Sequence, residues 1–339
     1  MDTKELCFAL ADCFGVSGAE NETAKLSGEI LSRYMTVGTD RLGNVIGRKE
    51  GKGKHILLDA HMDRIGFIVR GIDEKGFVLF DKCGGIDVRT LIGNEVEIFA
   101  KEKLFGVICS TPPHLADDNK KLPEIGKIAI DIGLSKEEAE KLVFPGDRGI
   151  IRNKPCTLLG ENIASSALDN RAGMAVLIKA VEYLEEKGFD ANLTVMFSTQ
   201  EEVGRRGART GAFTSQAEEA IVVDVSFGYA PGVAKDSAGE LGKGPMIGFA
   251  AILDREMSKE LVRIAEEKDI PYQSEVMSRT TGTNADFISL TAEGIKTALV
   301  SVPLRNMHTT VEVININDIE NTAKLIGEYI MAQEARNDV

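Results

Sequence analysis

The strongest constraint on the fold is a change of pattern in the middle of the chain. Between Gly66 and Cys156 the apolar residues form short runs rich in β-branched residues, such as GFIVRGI, EVEIFA and KIAIDIG, separated by glycine and proline. This pattern is typical of a small β structure. On either side, helical segments alternate with strand-like runs, which indicates an α/β sheet with helices on both faces. The sequence therefore predicts a discontinuous α/β domain at 1–65 and 157–339, interrupted by a β domain at 66–156.

Local patterns place individual elements within this organisation. Apolar residues at helical spacing predict helices at 3–14, 22–34, 135–143, 170–187, 257–268 and 317–335. Apolar runs that end in polar residues predict strands at 55–61, 192–199, 220–226 and 296–303. Ser135 is the expected N-cap of the helix inside the β domain, since Glu138 follows three residues later. The DDNKK segment at 117–121 is expected to form an exposed loop.

Composition excludes several classes of function. The 339 residues include 53 acidic and 40 basic side chains, and the formal net charge of −13 argues against a nucleic-acid or anionic-membrane partner. No apolar run approaches the roughly 18 residues of a membrane-spanning helix, and the N-terminal segment lacks the pattern of a signal peptide. The five cysteines are scattered and form no CxxC pair. We therefore expect a reduced, cytoplasmic protein.

Polar side chains follow the predicted strands. Acids or a histidine occur at such positions in five places: His61 and Asp63, Asp169, Glu201 and Glu202, Asp224, and His308. In an open α/β sheet, binding sites form beyond the carboxyl ends of the strands. Charged groups that follow apolar strands are costly unless they are paired or bind an ion. Imidazoles combined with carboxylates suit zinc, cobalt or manganese, so the pattern indicates a candidate metal site.

A site for two metal ions can be assembled from these residues. Two ions about 3.5–4 Å apart need a bridging carboxylate and further ligands at each ion. The residues divide into a bridge at Asp169, one set at His61 and Asp224, and a second set at Glu202 and His308. Glu201 then remains free beside a ligand, as a general base requires. Asp63 can accept the other ring proton of His61 and fix its tautomer.

Each piece also has an ordinary structural interpretation. Asp169 precedes a helix and can be a simple N-cap. The Glu201–Glu202 pair can be the solvated first turn of a helix. Asp224 can end its strand to make a turn, and His308 can be a core or interface histidine. These candidate residues occur together at strand ends, which favours a functional site but leaves the structural interpretation open.

Longer strings around these residues resemble one known family, the tetrahedral or glutamyl aminopeptidases, which are di-metal peptidases (some members carry a cellulase label). The strings cover nearly the whole chain: GVSGAE (15–20), DRLGN (40–44), DAHMDRIGF (59–67), KCGGID (82–87), GVICSTPPHL (106–115), DIGLSKEEAE (131–140), ALDNRAG (167–173), QEEVGRRGA (200–208), TGTNADFISL (281–290) and MHTTVEV (307–313). The chain departs from the common family pattern at Arg64, Asn170 and Asn284. None of these departures removes a candidate ligand or the candidate base.

The resemblance implies a fold and a set of roles. The fold is a mixed-sheet α/β/α catalytic domain with an inserted small β-barrel-like dimerisation domain, and the dimers are expected to assemble into a tetrahedral dodecamer. Two divalent ions (zinc or cobalt, or alternatively manganese) are expected at His61, Asp169, Glu202, Asp224 and His308. Glu201 is the expected general base, and Asp63 is expected to orient His61. His55 and His114 are interpreted as structural.

The expected function is that of a metal-dependent aminopeptidase acting on short peptides. The 281–287 loop, with Asp286, and the region after Asp224 are expected to line its pocket. A deacylase of N-acyl amino acids would use the same site and stays open. An enzyme acting on sugar polymers is disfavoured, because the chain has no tryptophan and the histidines would be unexplained. A non-enzymatic assembly protein with a decayed site is a third alternative, against which the intact set of candidate residues speaks.

Overall fold

The computed structural model describes residues 1–115 and 123–337, so the loop predicted at 117–121 lies outside the described residues. The helices are α1 (Thr3–Asp12), α2 (Asn21–Leu31), α3 (Lys136–Ala139), α4 (Leu168–Lys187), α5 (Arg206–Ser215), α6 (Arg255–Glu267), α7 (Ala285–Ile288) and α8 (Ile316–Asn337). The strands are β1 (Thr36–Thr39), β2 (Val45–Lys49), β3 (Lys52–His61), β4 (Gly66–Ile72), β5 (Val78–Cys83), β6 (Glu95–Phe99), β7 (Lys103–Cys109), β8 (Ala129–Asp131), β9 (Arg148–Ile151), β10 (Cys156–Thr157), β11 (Asn162–Ser165), β12 (Ala191–Ser198), β13 (Glu219–Phe227), β14 (Met246–Ala250), β15 (Gln273–Met277), β16 (Lys296–Leu304) and β17 (Glu312–Asn315). Among the described helices, none combines the length and the apolar character needed to cross a membrane.

An eight-stranded mixed sheet forms the centre of the α/β part, in the order β1-β2-β12-β3-β13-β16-β14-β15. The four central strands β12, β3, β13 and β16 run parallel to one another. They are flanked by β2 and β14, which are antiparallel to their central neighbours. Because the carboxyl ends of parallel strands meet at the same edge of a sheet, the segments that follow the four central strands come together there.

Helices cover both faces of this sheet. On one face α1, α4, α6 and α8 pack against the strands in a large apolar cluster that includes Leu58, Leu177 and Ile326. On the other face α5 and α7 contribute to a smaller cluster around Leu57. Leu57 and Leu58 are consecutive in β3 and point to opposite faces, as the alternation of a strand requires. The predicted α/β fold with helices on both faces is confirmed.

Six strands of the middle region close into a barrel, in the order β4-β5-β8-β7-β6-β9. Its paired strands are antiparallel. A separate apolar cluster fills the interior, where the ring centroids of Phe67 and Phe80 lie 5.3 Å apart. A junction between the barrel and the α/β part is formed by the stacked rings of Phe14 and Phe99, whose centroids are 3.6 Å apart. The predicted small β-barrel is confirmed, and the exact boundaries of the two domains stay a prediction.

Several elements differ from the sequence prediction. The helix predicted at 135–143 is only the single turn α3. Its capping bond is present, from the N–H of Ser135 to Glu138 Oε2 at 3.0 Å, but the chain soon enters a turn at Pro145 and the left-handed Gly146. The pattern does not predict α5, which is rich in glycine, threonine and serine rather than strong helix formers. It also does not predict the small antiparallel sheet β10-β11-β17.

Candidate active site

One cavity of about 650 Å³ gathers most of the candidate residues. Six of them line it: His61, Asp169, Glu201, Glu202, Asp224 and His308. All but Asp169 come from the carboxyl end of a central parallel strand or from the segment that follows one. Asp169 reaches the cavity from the first turn of α4, which follows β11 of the small sheet. The parallel arrangement of β3, β12, β13 and β16 therefore brings together residues that are far apart in the sequence.

Asp169 lies between two histidines and links two groups of possible ligands. On one side, His61 Nε2 is 3.1 Å from Asp169 Oδ1 and 3.7 Å from Asp224 Oδ1. On the other side, His308 Nε2 is 3.3 Å from Asp169 Oδ2 and 3.5 Å from Glu202 Oε1. Within each group the possible ligand atoms lie within 4.8 Å of one another. The two oxygens of one carboxylate thus face two separate imidazole–carboxylate pairs, an arrangement in which a carboxylate can bridge two ions.

The electrostatics of both groups fit a divalent cation. Hydrogen bonding to Asp169 raises the pKa of His308 to about 9. Burial lowers the pKa of His61, but hydrogen bonds to Asp169, Asp224 and Asp63 outweigh burial and raise this pKa well above its usual value. The carboxylates therefore favour positive charge at both imidazoles. A metal ion supplies that charge while each imidazole stays neutral and acts as a ligand.

Glu201 belongs to neither ligand group but faces the same cavity. Burial raises the pKa of Glu201 to about 7, although the positive charge of His61 lowers it. Its Oε1 accepts a hydrogen bond from Arg205 Nε at 2.9 Å, and Arg205 also donates to the carbonyl oxygen of Gly282. A carboxyl group that is free of the ligand groups and titrates near neutral pH has the properties of a general base.

Asp63 holds the backbone of the Glu201–Glu202 turn as well as the ring of His61. Its carboxylate accepts hydrogen bonds from the N–H groups of Glu201 at 2.9 Å and Glu202 at 3.1 Å, and from Ser17 Oγ at 2.6 Å. Its Oδ1 lies 3.4 Å from His61 Nδ1, while the carbonyl oxygen of Asp63 lies closer, at 3.1 Å. The sequence pattern indicates the contact with His61 but not the contact with the turn.

Glu312 is a buried acid that the sequence reasoning misses. One of its carboxylate oxygens accepts a hydrogen bond from the N–H of His308 at 2.9 Å, and the other accepts from the N–H of Asp169 at 3.1 Å. Burial raises the pKa of Glu312 to about 8. The side chain therefore ties together the two segments that carry Asp169 and His308. The only signal in the sequence is an acid at the start of a short strand, four residues after His308.

The backbone around Asp169 is not that of an ordinary helix start. Ala167 is left-handed, with φ of 61°, and Asp169 and Asn170 have non-helical angles inside α4. Asp169 is thus not a simple N-cap. The amide of Asn170 donates to the carbonyl oxygen of Val223 at 2.8 Å, which anchors this turn to β13.

The other two departures from the family pattern are buried outside the cavity wall. Arg64 Nη1 donates to the carbonyl oxygen of Ala11 at 3.4 Å. Asn284 Nδ2 donates to Asp59 Oδ2 and to Ser198 Oγ, both at 2.8 Å. Both residues therefore act on the framework of the site rather than on the surface that a substrate would touch.

The remaining candidates fall into two groups. Residues 225–227 and 281–283 line the cavity, and Asp286 holds the second segment by accepting a hydrogen bond from the N–H of Thr281 at 2.8 Å. His55 and His114 lie outside both ligand groups. His55 Nε2 is hydrogen-bonded to Thr194 Oγ1 at 2.7 Å, and His114 is exposed.

Comparisons with known proteins agree on one family. The family model described as M42 glutamyl aminopeptidase matches residues 43–325. A putative aminopeptidase of Acetivibrio thermocellus is 38% identical over 93% of this chain and 94% of its own length. A lysyl aminopeptidase of Pyrococcus furiosus is 34% identical over 95% of this chain and 94% of its own. The structure of the TET1 peptidase of Pyrococcus horikoshii, 32% identical, superposes with a TM-score of 0.87 over 97% of this chain and 99% of that one.

Proposed function

The chain belongs to the M42 glutamyl aminopeptidase family and is a metal-dependent peptidase, and from that premise we propose that it removes N-terminal residues from short peptides in the cavity at the carboxyl edge of the sheet. The proposal rests on the position of Asp169 between two imidazole–carboxylate pairs, with Glu201 outside both pairs and facing the same cavity. A purely structural cluster of charges needs neither a shared carboxylate nor a further acid facing an open cavity.

Two divalent ions are proposed for this site. His61 and Asp224 would hold one ion, Glu202 and His308 the other, and Asp169 would bridge them. Zinc or cobalt is the proposed metal, with manganese as the next choice, because imidazole nitrogen and carboxylate oxygen suit all three. When bound, such ions polarise the carbonyl of the scissile peptide bond and lower the pKa of a water molecule.

Glu201 is the proposed general base. Its carboxylate would take a proton from the attacking water and pass that proton to the leaving amine. Asp63 keeps Glu201 in place through the backbone N–H of the turn and orients His61 through Nδ1. Glu312 positions Asp169 and His308 in a similar way, because its carboxylate accepts hydrogen bonds from their backbone N–H groups.

A panel of chromogenic aminoacyl substrates tests this function and the metal together. Metal-free protein receives zinc, cobalt or manganese separately, and each substrate is paired with its N-acetylated form. We expect cleavage of the free-amine substrates only after metal is added, and no cleavage of the acetylated forms. Release of acetate from the acetylated forms, which frees no chromophore and is measured separately, would instead favour a deacylase. Release of neither chromophore nor acetate with any metal would favour an assembly protein with a decayed site.

Self-association through the barrel is a further part of the proposal. The P. horikoshii TET1 peptidase can assemble into a tetrahedron or an octahedral shell, and in this chain Phe105 and Val107 of β7 expose apolar side chains on the outside of the barrel. We propose that residues 66–156 form an inserted dimerisation domain and that the dimers build a tetrahedral dodecamer. Light scattering should give twelve chains per particle, and Phe105→Glu should reduce that mass.

All five cysteines are free thiols, which supports a cytoplasmic location.

A further inference from the structure

Another acidic side chain, Glu275, lines the cavity without belonging to either ligand group. Glu275 of β15 lines the wall together with residues 225–227, which follow Asp224 on β13. Its carboxylate accepts hydrogen bonds from the hydroxyl of Ser226 and, at 3.1 Å, from the hydroxyl of Ser301. Gly248 lies beside Glu275 in the neighbouring strand β14.

Among the acids of the cavity wall that are buried or half-buried, Glu275 differs from the others because no described cation pairs with it, and the remaining acid of the wall, Asp236, is exposed. Asp169, Glu202 and Asp224 face imidazoles, and Glu201 is paired with Arg205. Among the residues that the structure describes, no basic side chain forms an ion pair with Glu275, whose hydrogen-bond partners are the two serine hydroxyls.

Arg205 is not available as a partner for Glu275. It is paired with Glu201, donates to the carbonyl oxygen of Gly282, and lies 3.7 Å from Asp286 through Nη1. Burial, and to a smaller extent the charge of Asp224, raise the pKa of Glu275. A carboxylate that is largely withdrawn from water without a cation is costly, and a positively charged ligand group relieves that cost.

The wall around Glu275 suits the aliphatic stem of a basic side chain. Met246, Met277, Met307 and Phe227 line the same cavity. Thioether side chains adapt to irregular apolar shapes, and the stems of lysine and arginine pack well on such surfaces while their charged ends reach a polar group. The cavity thus offers apolar side chains as well as the half-buried carboxylate of Glu275, which forms no ion pair among the described residues.

We propose that Glu275 is a specificity-determining residue that receives the ammonium or guanidinium group of a basic N-terminal residue of the substrate. The inference rests on the proposed aminopeptidase function and adds a substrate class to it. Ser226 and Ser301 fix the carboxylate, and the serine hydroxyls leave its remaining acceptor positions for the incoming cation. Substrates that begin with lysine or arginine are expected to be preferred over neutral ones of the same shape.

The test compares lysyl and norleucyl p-nitroanilides, which share a four-carbon stem and differ in the terminal ammonium group. Metal-loaded wild-type protein should have the higher kcat/KM for the lysyl substrate. Glu275→Gln should lower kcat/KM for that substrate by about 10- to 100-fold, the effect typical of a lost hydrogen bond to a charged group. The norleucyl value should stay within about twofold, which also shows that the variant is folded.

Glu240→Gln is the matched control, because Glu240 is exposed nearby but does not line the cavity. It makes the same chemical change and should leave the ratio of the lysyl to the norleucyl kcat/KM unaltered.

Equal losses of kcat/KM for both substrates in Glu275→Gln would overturn the inference, because Glu275 would then act on something common to both, such as the α-amino group. A wild type that cleaves norleucyl substrate as well as lysyl substrate would also overturn it, while leaving the proposed function intact. A wild type that cleaves neither with any metal would overturn both.

Discussion

The carboxyl edge of the large sheet and the barrel are both built from short apolar strands, yet only the sheet edge gathers candidate catalytic groups. The four central strands of the sheet are parallel, so the segments that follow them converge on one cavity. The barrel strands pair in antiparallel fashion, so successive strand ends lie at opposite rims. Among the described barrel residues, only Gly85 lines the cavity.

Strand direction, rather than composition, therefore decides where catalytic side chains can come together. An acid or histidine after a parallel strand joins others at the same edge, whereas the same residue after an antiparallel strand stands apart from those of its neighbours. Substitutions at the sheet edge should therefore change the reaction. Substitutions in the barrel core should change stability.

The largest effect is expected from Glu201→Gln. This change removes the proposed base and keeps the shape of the side chain, so kcat should fall by about 10²- to 10⁴-fold. Metal content, measured by mass spectrometry of the purified protein, should stay the same because Glu201 belongs to neither ligand group. Full activity in this variant would remove Glu201 from the mechanism.

The barrel counterpart is Phe80→Ala. Phe80 is buried in the barrel cluster, and loss of such a ring costs about 3–5 kcal/mol in the free energy of unfolding. Urea unfolding at a fixed metal concentration measures this loss. Below the transition, kcat/KM per folded site should stay within about twofold of wild type, and a much larger decrease would mean that the barrel core controls the reaction.

A smaller effect is expected from Gly85→Ala, which probes the place where the described part of the barrel domain meets the cavity. A Cβ atom at Gly85 would lie 2.5 Å from His308 Nδ1, so the imidazole must move. Displacing a proposed ligand in this way should weaken metal affinity or activity by about 10- to 100-fold. Metal titration should show weaker binding of one ion with an unchanged midpoint of urea unfolding in the metal-free protein. Two ions bound as tightly as in wild type would contradict this account of the contact.

Much of the fold and of the candidate site could be predicted, because both depend on patterns within short stretches of sequence. These patterns are the spacing of apolar residues and the polar residues that follow predicted strands. The alternation of helix and strand predicts the sheet, and the residues after its central strands indicate the cavity. Glu312 could not be predicted, because its role depends on the pairing of β11 with β17, which places it opposite Ser165. Glu275 could not be predicted either, because it lies in the polar edge strand β15, and its serine partners come from β13 and β16.

The single carboxylate of Asp169 is proposed to serve two metal ions. The most direct test is the number of zinc or cobalt ions bound per chain by Asp169→Asn, measured by mass spectrometry after metal loading and gel filtration. Asp224→Asn is the control, because Asp224 belongs to one ligand group only. We predict two ions in wild type, about one in Asp224→Asn and fewer than one in Asp169→Asn. Two ions retained by Asp169→Asn, or one ion or fewer in wild type, would contradict the account.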